Sequence, residues 1–177
     1  MSRVLLSVGD PNGIGPEIAV KAAVALAGEP HLAPVLVADP YVVAPWVQQS
    51  ELRLREIDAP AVPVADAVDV LAVEALPDGE LLPGTVSAEA GAATVAYLRA
   101  AVGAVQARIG RAIVACPHSE TAVNAAGIPF GGYPGLLGRP GVRAEGPRLP
   151  DAGRRWSADR ARDPARAAGR RDRSTHS

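Results

Sequence analysis

A glycine-rich loop between an apolar run and a helix-forming segment is the feature that most restricts how this chain can fold. Residues 3–8 form a short run rich in branched side chains, which is typical of a buried strand. In the loop at residues 9–17, Pro16 suits a first helical position and Glu17 suits the positive end of a helix dipole. A second apolar run follows at residues 33–38. The order strand, loop, helix, strand predicts a parallel α/β sheet.

Later segments extend this pattern. The sequence predicts a short helix at residues 41–49, short strands and loops over 51–84, a helix from 88 to about 107, a buried strand at 112–116 and a short helix at 122–126. Ser87 can cap the long helix, and Ser119 or Thr121 can open the short one. Pro117 ends the last strand.

Cysteine content and hydropathy exclude several protein classes. Cys116 is the single cysteine among 177 residues, which excludes a disulfide framework and a cysteine-based zinc module. No apolar run approaches the roughly 18 residues that a membrane span needs. The segment before Gly9 is too short for a signal peptide. We therefore expect a cytoplasmic protein with no membrane partner.

The near-neutral charge of the whole chain hides two unlike parts. Residues 1–145 carry nine basic and fifteen acidic residues, a net charge of −6, whereas residues 146–177 carry nine arginines and four aspartates, a net charge of +5. Beyond alanine, the apolar side chains of the second part are Leu149 and Trp156. Such a segment cannot bury enough surface to offset the entropy lost on ordering it. The composition predicts a folded part at residues 1–145 and a disordered Arg-rich tail at residues 146–177.

The loop at residues 9–17 is the first candidate for ligand binding. Closely spaced glycines at a helix N-terminus let backbone N–H groups converge on an anion, and Asp10 follows a predicted strand, where α/β proteins bind ligands. The loop lacks the Gly-Lys-Ser/Thr of a Walker A motif and the glycine spacing of a dinucleotide fingerprint. A tight turn that merely requires glycine explains the pattern equally well.

Two further segments could contribute to a site. In residues 116–121, His118 can transfer protons near neutral pH, and Ser119 and Glu120 offer hydrogen bonds to a substrate. A turn histidine and a helix cap are the alternatives, and adjacent residues cannot form a triad among themselves. Residues 126–137 could line a pocket or simply connect two elements.

Histidine spacing does not indicate a metal site. The three histidines are His31, His118 and His176, which are far apart and lack the spacing of metal ligands.

Three ordered motifs together resemble the 4-hydroxythreonine-4-phosphate dehydrogenase (PdxA) family. Gly9 to Glu17 match its Gly-Asp-Pro-x-Gly-Ile-Gly-Pro-Glu loop. Residues 83–91 match a Pro-Gly-x-x-Ser/Thr-x-x-x-Gly stretch, and residues 124–128, downstream of Pro117, match an Asn-x-Ala-Gly-Ile segment. The resemblance covers residues 1 to about 145.

The resemblance implies a fold and a reaction. The fold is the three-layer α/β/α architecture of the isocitrate and isopropylmalate dehydrogenases, of which this chain would hold the N-terminal portion. The reaction is an NAD-dependent oxidation of a secondary alcohol in a small-molecule substrate, often with decarboxylation, beside a divalent metal (Zn, Mg or Co). The family also implies a homodimer. The net charge of −1 for the whole chain gives no reason to expect a nucleic-acid partner. Its metal-ligand histidines and nicotinamide contacts lie beyond residue 145, so no catalytic, cofactor or metal residue is carried over.

Departures from the family pattern point to one branch. Members that bind a phosphorylated substrate read Gly-His-Thr-Glu, where this chain has Gly-Tyr-Pro-Gly with Tyr133 and Pro134 in the centre. Where many members have Asn-Lys or His-Lys, this chain has Ser119 and Glu120. Both segments resemble the branch that contains the terephthalate dihydrodiol dehydrogenase. The resemblance therefore implies that these four residues, with His118 and Asp10, contact the substrate, and it makes a cis-dihydrodiol dicarboxylate the alternative to hydroxythreonine phosphate.

A shifted reading frame would explain the Arg-rich tail. With codons chosen among those allowed, dropping one base at Gly146 makes the tail read as an apolar strand and then a Thr-Leu-His-Glu segment, whose histidine binds metal in this branch. We expect that one extra base near this codon shifted the frame and that the chain is an inactive fragment. A genuine basic tail that binds nucleic acid or an acidic partner is the competing interpretation, although it lacks interleaved aromatic residues. A non-catalytic remnant that binds ligands through residues 9–17 is a further alternative.

Overall fold

The computed structural model of the chain describes residues 2–57 and 62–133, which form one parallel sheet with helices packed against it. The strands are β1 (Ser2–Ser7), β2 (Leu32–Ala38), β3 (Arg53–Ile57), β4 (Ala67–Ala72) and β5 (Ala112–Ala115). They lie in the order β3-β4-β2-β1-β5, and each neighbouring pair is parallel. The predicted α/β class is confirmed. The predicted boundary at residue 145 and the tail at residues 146–177 lie outside the described residues.

Helices lie on both faces of this sheet. They are α1 (Gly15–Ala25), α2 (Pro40–Val47), α3 (Ala88–Gln106) and α4 (Glu120–Ala125). Helix α1 packs against α2, and α3 packs against α4. The chain crosses from β1 to β2 through α1 but returns across the sheet from β4 to β5 through α3, so right-handed connections place these two helices on opposite faces. The expected three-layer α/β/α architecture is confirmed.

None of the described helices is long and apolar enough to cross a lipid bilayer.

The sequence predicts a face of mainly small residues on the long helix α3, made of Ala93, Ala96, Tyr97, Ala100 and Ala101. The structure buries four of these five residues, with Ala96 partly exposed. Ala93, Tyr97 and Ala101 are fully buried against the sheet in the main hydrophobic cluster. The Ser87 Oγ accepts a hydrogen bond from the Ala90 N–H at 3.1 Å, so the predicted N-cap is confirmed. Small side chains let the helix backbone lie close to the sheet.

Asp39 at the end of β2 joins the sheet to α3. Its carboxylate is 3% exposed and accepts hydrogen bonds from the Tyr97 hydroxyl at 2.6 Å and from the N–H groups of Leu76 and Ala75 at 3.0 and 3.1 Å. Burial raises the pKa of Asp39, and these three donors oppose that rise. The carboxylate therefore connects three segments that are far apart in the sequence.

Strand β5 differs from its prediction in one respect. The sequence predicts a buried strand at residues 112–116, but β5 lies at an edge of the sheet, and its residues Ala112, Val114 and Ala115 are exposed. The expectation of burial is wrong because an apolar run indicates a strand without indicating how many neighbours it has. Among the described strands, β5 pairs with β1 alone.

Candidate functional site

The loops that follow β1 and β5 meet at the carboxyl edge of the sheet. Ser7 pairs with Ala115 at the ends of these parallel strands, so the two loops start side by side. Gly9 has a φ of +75°, and a Cβ at this position would clash with the Pro117 carbonyl oxygen. The next residue, Asp10, donates its N–H to the same oxygen at 3.1 Å. The glycine therefore permits the close approach that brings Asp10 to the second loop.

Asp10 is held in a tight turn of its own loop. It is 6% exposed, its Oδ1 accepts the Asn12 N–H at 2.9 Å, and its carbonyl accepts the Gly13 N–H at 3.0 Å. Burial raises the pKa of Asp10, while the hydrogen bond from Asn12 and the nearby His118 oppose the rise. The carboxylate is thus a largely buried acceptor beside an imidazole.

His118 lies between two aromatic rings. Its ring centroid is 4.8 Å from that of Phe130, in an edge-to-face arrangement, and 4.3 Å from that of Tyr133. The His118 Nε2 atom is buried and has no hydrogen-bond partner among the described residues. A buried polar atom without a partner is costly, so this nitrogen is a natural contact for a bound polar group.

Tyr133 completes the aromatic cluster and reaches back to the end of β5. Its hydroxyl donates a hydrogen bond to the Cys116 carbonyl at 3.0 Å. Burial, with Cys116 and Asp10 as further causes, raises the pKa of Tyr133 to about 12. The phenol therefore stays protonated at neutral pH and holds its ring against His118.

The structure brings together three of the six predicted site residues and places the others differently. Asp10, His118 and Tyr133 share the cluster described above. Ser119 is the N-cap of α4, where its Oγ accepts the Ala122 N–H at 3.2 Å, and Glu120 is exposed in the first turn of that helix. Pro134 lies outside the described residues.

Asn12 is a buried residue of this region that no sequence pattern identifies as important for the site. Its Oδ1 accepts the Leu82 N–H at 2.8 Å, its carbonyl accepts the Gly84 N–H at 2.7 Å, and it is 3% exposed. These two hydrogen bonds connect the loop at residues 9–17 to the segment that precedes α3. The Pro-Asn-Gly sequence signals only a local turn, and no sequence pattern indicates a partner seventy positions away.

The loop at residues 9–17 uses several of its own N–H groups. Those of Asp10, Asn12 and Gly13 all donate to protein oxygens in this region. These three groups are therefore not free to converge on an anion, and the Asp10 carboxylate would repel one.

The described residues do not fit a divalent metal site. No group of three or more His, Cys, Asp or Glu side chains in residues 2–57 and 62–133 could hold a metal ion. Cys116 is a buried free thiol whose pKa burial raises, so it is poorly suited to act as a thiolate ligand.

Comparison with known proteins gives one family. The family model described as pyridoxal phosphate biosynthetic protein PdxA matches residues 30–141. The chain is 39% identical over 139 residues to a 1,2-dihydroxy-3,5-cyclohexadiene-1,4-dicarboxylate dehydrogenase of a Comamonas species, with 76% of this chain covered. It is 35% identical over 132 residues to a 4-hydroxythreonine-4-phosphate dehydrogenase of a Synechococcus species, with 75% covered.

A solved structure of a dihydrodiol dehydrogenase is also similar to this chain. A terephthalate 1,2-cis-dihydrodiol dehydrogenase from Burkholderia xenovorans superposes with a TM-score of 0.65 and 44% identity, covering 77% of this chain and 39% of that one. The chain likewise spans 40% of the length of the Comamonas relative and 38% of the Synechococcus relative.

Proposed function

The chain belongs to the PdxA family, and from that membership we propose that the full-length protein to which it corresponds catalyses an NAD-dependent, metal-dependent oxidation of a secondary alcohol with decarboxylation. Relatives of both substrate types are dehydrogenases, which supports the reaction class. A homodimer belongs to the proposal through family resemblance alone, and a cytoplasmic location through the cysteine content and hydropathy of the sequence. The described residues offer no metal site, so we derive no catalytic step through the metal.

The substrate that the site supports best is a cis-dihydrodiol dicarboxylate. The observation that carries this proposal is that the Tyr133 hydroxyl donates to the Cys116 carbonyl. By the family resemblance, Tyr133 stands where members with a phosphorylated substrate have a phosphate-contacting histidine. A phenol engaged in this way offers a phosphate neither a positive charge nor a free hydroxyl donor, whereas its ring offers apolar surface to a cyclic substrate. The higher identity to the dihydrodiol dehydrogenases, 39% and 44%, supports the same choice.

In this proposal the aromatic cluster binds and orients the substrate. The Phe130 and Tyr133 rings offer apolar surface to a six-membered ring, and the unpartnered His118 Nε2 bonds a substrate carboxylate or hydroxyl. The buried Asp10 carboxylate accepts a hydrogen bond from a diol hydroxyl. Hydroxythreonine phosphate is the second candidate, supported by the Synechococcus relative.

Binding of stable substrate analogues to the purified 177-residue chain tests the substrate class. We expect terephthalate, a dicarboxylate on a six-membered ring, to shift the His118 imidazole NMR signals in a saturable manner. We expect phosphothreonine to leave them unchanged. Binding of phosphothreonine in place of terephthalate would support hydroxythreonine phosphate as the substrate. Binding of neither would show that the cluster around His118 is not the substrate site.

We also expect that the 177-residue polypeptide does not turn over by itself, because its described residues supply no metal site. The measurement is NADH formation with Zn²⁺, Mg²⁺ or Co²⁺ and each candidate substrate, and steady turnover would contradict the expected inactivity of this chain. The alternative of a ligand-binding remnant that uses residues 9–17 is not favoured, because three N–H groups of that loop already have acceptors.

The proposed origin of the Arg-rich tail is a shifted frame near Gly146. Sequencing the gene across the codons for residues 143–150 tests it. We expect one additional base relative to a frame that continues the family sequence. An intact frame, with no homologous frame downstream, would leave a genuine basic tail as the explanation.

A further inference from the structure

Asn12 lies between the Asp10 carboxylate and the segment that leads into α3, and it makes hydrogen bonds in both directions. Its N–H donates to the Asp10 Oδ1 at 2.9 Å, while its carbonyl and side-chain oxygens accept the N–H groups of Gly84 and Leu82 at 2.7 and 2.8 Å. In the described part of the chain, this N–H is the one hydrogen-bond donor to the Asp10 carboxylate. The direction in which the carboxylate points therefore depends on where residue 12 is held.

The side-chain amide of Asn12 also reaches the N-cap of α3. Its Nδ2 lies 3.4 Å from the hydroxyl oxygens of Thr85 and Ser87, and the Ser87 Oγ itself accepts the Ala90 N–H. An asparagine side chain can accept and donate at once, which neither an ionised aspartate nor an aliphatic residue can do. Helix α3 packs against β1, β2 and β5, so it provides a rigid anchor for residue 12.

The turn that contains Asp10 does not fix the direction of its carboxylate by itself. Gly9 and Gly13 lie on either side of this turn, and glycine restricts the backbone less than any other residue does. The Asp10 N–H is bonded to the Pro117 carbonyl at 3.1 Å, which holds the main chain of Asp10 but not its carboxylate. The side chain of Asn12 supplies the missing constraint.

We propose that Asn12 is a positioning residue of the candidate site, which directs the Asp10 carboxylate toward a substrate hydroxyl by connecting its loop to the start of α3. The inference rests on the proposed function, since it takes Asp10 as the acceptor for a diol hydroxyl. Among the hydrogen bonds of the described residues, the Asp10 Oδ2 is not engaged, so it can accept that hydroxyl. Loss of the Asn12 side chain should therefore reduce the preference of the site for ligands that carry hydroxyl groups.

The affinities of the full chain for two saturated ring dicarboxylates test this role. The probes are cis-1,2-dihydroxycyclohexane-1,4-dicarboxylate and cyclohexane-1,4-dicarboxylate, which lacks both hydroxyls, and titration calorimetry gives each Kd. We expect the unmodified chain to bind the diol about tenfold more tightly, as one hydrogen bond to a charged group allows. Asn12→Ala should lower this preference to about twofold or less, with little change in the affinity for cyclohexane-1,4-dicarboxylate.

Two control variants separate positioning from general stability. Tyr41→Phe also loses one hydrogen bond to the segment between β4 and α3, because the Tyr41 hydroxyl donates to the Leu76 carbonyl at 2.8 Å. Tyr41 is not part of the site, so this variant should keep the full preference for the diol. Asp10→Asn replaces the charged acceptor by a weaker neutral one and should reduce the preference as Asn12→Ala does.

Hydrogen exchange of the Asp10 amide gives a second readout, and it needs no ligand. Asn12→Ala should accelerate this exchange, because the loop that carries the Asp10 N–H is no longer held and its bond to the Pro117 carbonyl opens more often. Tyr41→Phe should leave the exchange unchanged. If Asn12→Ala does not fold, Asn12→Ser keeps a shorter side-chain acceptor, and its effects should be smaller and in the same direction.

Two results would overturn the proposal. A preference for the diol that survives in Asn12→Ala and falls in Asp10→Asn would show that Asp10 acts without Asn12. Unchanged exchange of the Asp10 amide in Asn12→Ala would show that the side chain does not hold the loop. An unmodified chain without any preference for the diol would instead count against the proposed function of Asp10, and the exchange measurement would then decide whether Asn12 positions its carboxylate.

Discussion

Gly91 of α3 lies so close to the carbonyl group of Ala122 in α4 that a Cβ on the glycine would clash with it. The contact joins the helix that covers the sheet to the short helix that follows β5, and α4 in turn begins at the loop that holds His118. The position of the candidate site therefore depends on a backbone-to-backbone contact between two helices.

Gly91→Ala is expected to destabilise the chain by about 1–3 kcal/mol, because the clash involves backbone that cannot rotate away. This loss outweighs the gain of about 1 kcal/mol that alanine has over glycine inside a helix. Urea unfolding measures the difference. Gly131→Ala is the control, since a Cβ there meets no atom within 4 Å. Equal stabilities for the two variants would show that α3 and α4 do not pack as described.

Tyr97→Phe removes the shortest hydrogen bond of the buried Asp39 and is expected to cost about 1–3 kcal/mol. The pKa of Asp39 is raised in the folded state, so its protonation favours folding below its ordinary value of 3.8 and this contribution is lost as the pH rises through the folded-state pKa. Without the Tyr97 hydroxyl the folded-state pKa rises further. The destabilisation should therefore grow with pH across that window.

Unfolding curves at several pH values measure this effect. Tyr41→Phe is the matched control, because the Tyr41 hydroxyl donates to the Leu76 carbonyl at 2.8 Å and not to a carboxylate. Its cost should be nearly independent of pH from about 3 to 7, well below the ordinary tyrosine pKa. A Tyr97→Phe cost that is equally flat would argue against a hydrogen bond to an ionised Asp39.

Asn12→Ala is expected to destabilise the chain by about 0.5–1.5 kcal/mol, because the Leu82 N–H loses its acceptor, the side-chain oxygen of the buried Asn12. Thr85→Ala removes an exposed hydroxyl that donates to the Leu82 carbonyl in the same segment and should cost about 0.5 kcal/mol or less. Thermal unfolding compares the two variants. Exchange of the Leu82 amide gives a local readout and should accelerate in Asn12→Ala alone.

His118→Ala is expected to weaken terephthalate binding by about tenfold or more, since the variant loses the unpartnered Nε2 between the two rings. The control is His31→Ala, which removes the other described histidine at an exposed position before β2. NMR titration that follows the ring-proton signals of terephthalate gives the affinities of both variants. Equal affinities for the variants would separate His118 from the binding site.

Many features of the fold depend on residues that are close in the sequence, so the sequence predicts them. The run of branched residues in β1, the Ser87 cap and the small residues of α3 each depend on near neighbours in the sequence, and the structure confirms them. The carboxyl-edge position of Asp10 and His118 follows in the same way, because both come directly after predicted strands. Three ordered motifs in the sequence also predict the family, and the match to the family model confirms it.

The remaining features depend on distant partners. Three features depend on which segments become neighbours after folding. They are the exposure of Val114, the hydrogen bond from Tyr97 to Asp39, and the hydrogen bond from the Leu82 N–H to Asn12. Short-range patterns specify helices, strands and caps because those rest on hydrogen bonds and side-chain periodicity within a few residues. Strand order and long-range hydrogen bonds come from packing of the whole sheet, so the edge position of β5 and the cluster around His118 became visible only in three dimensions.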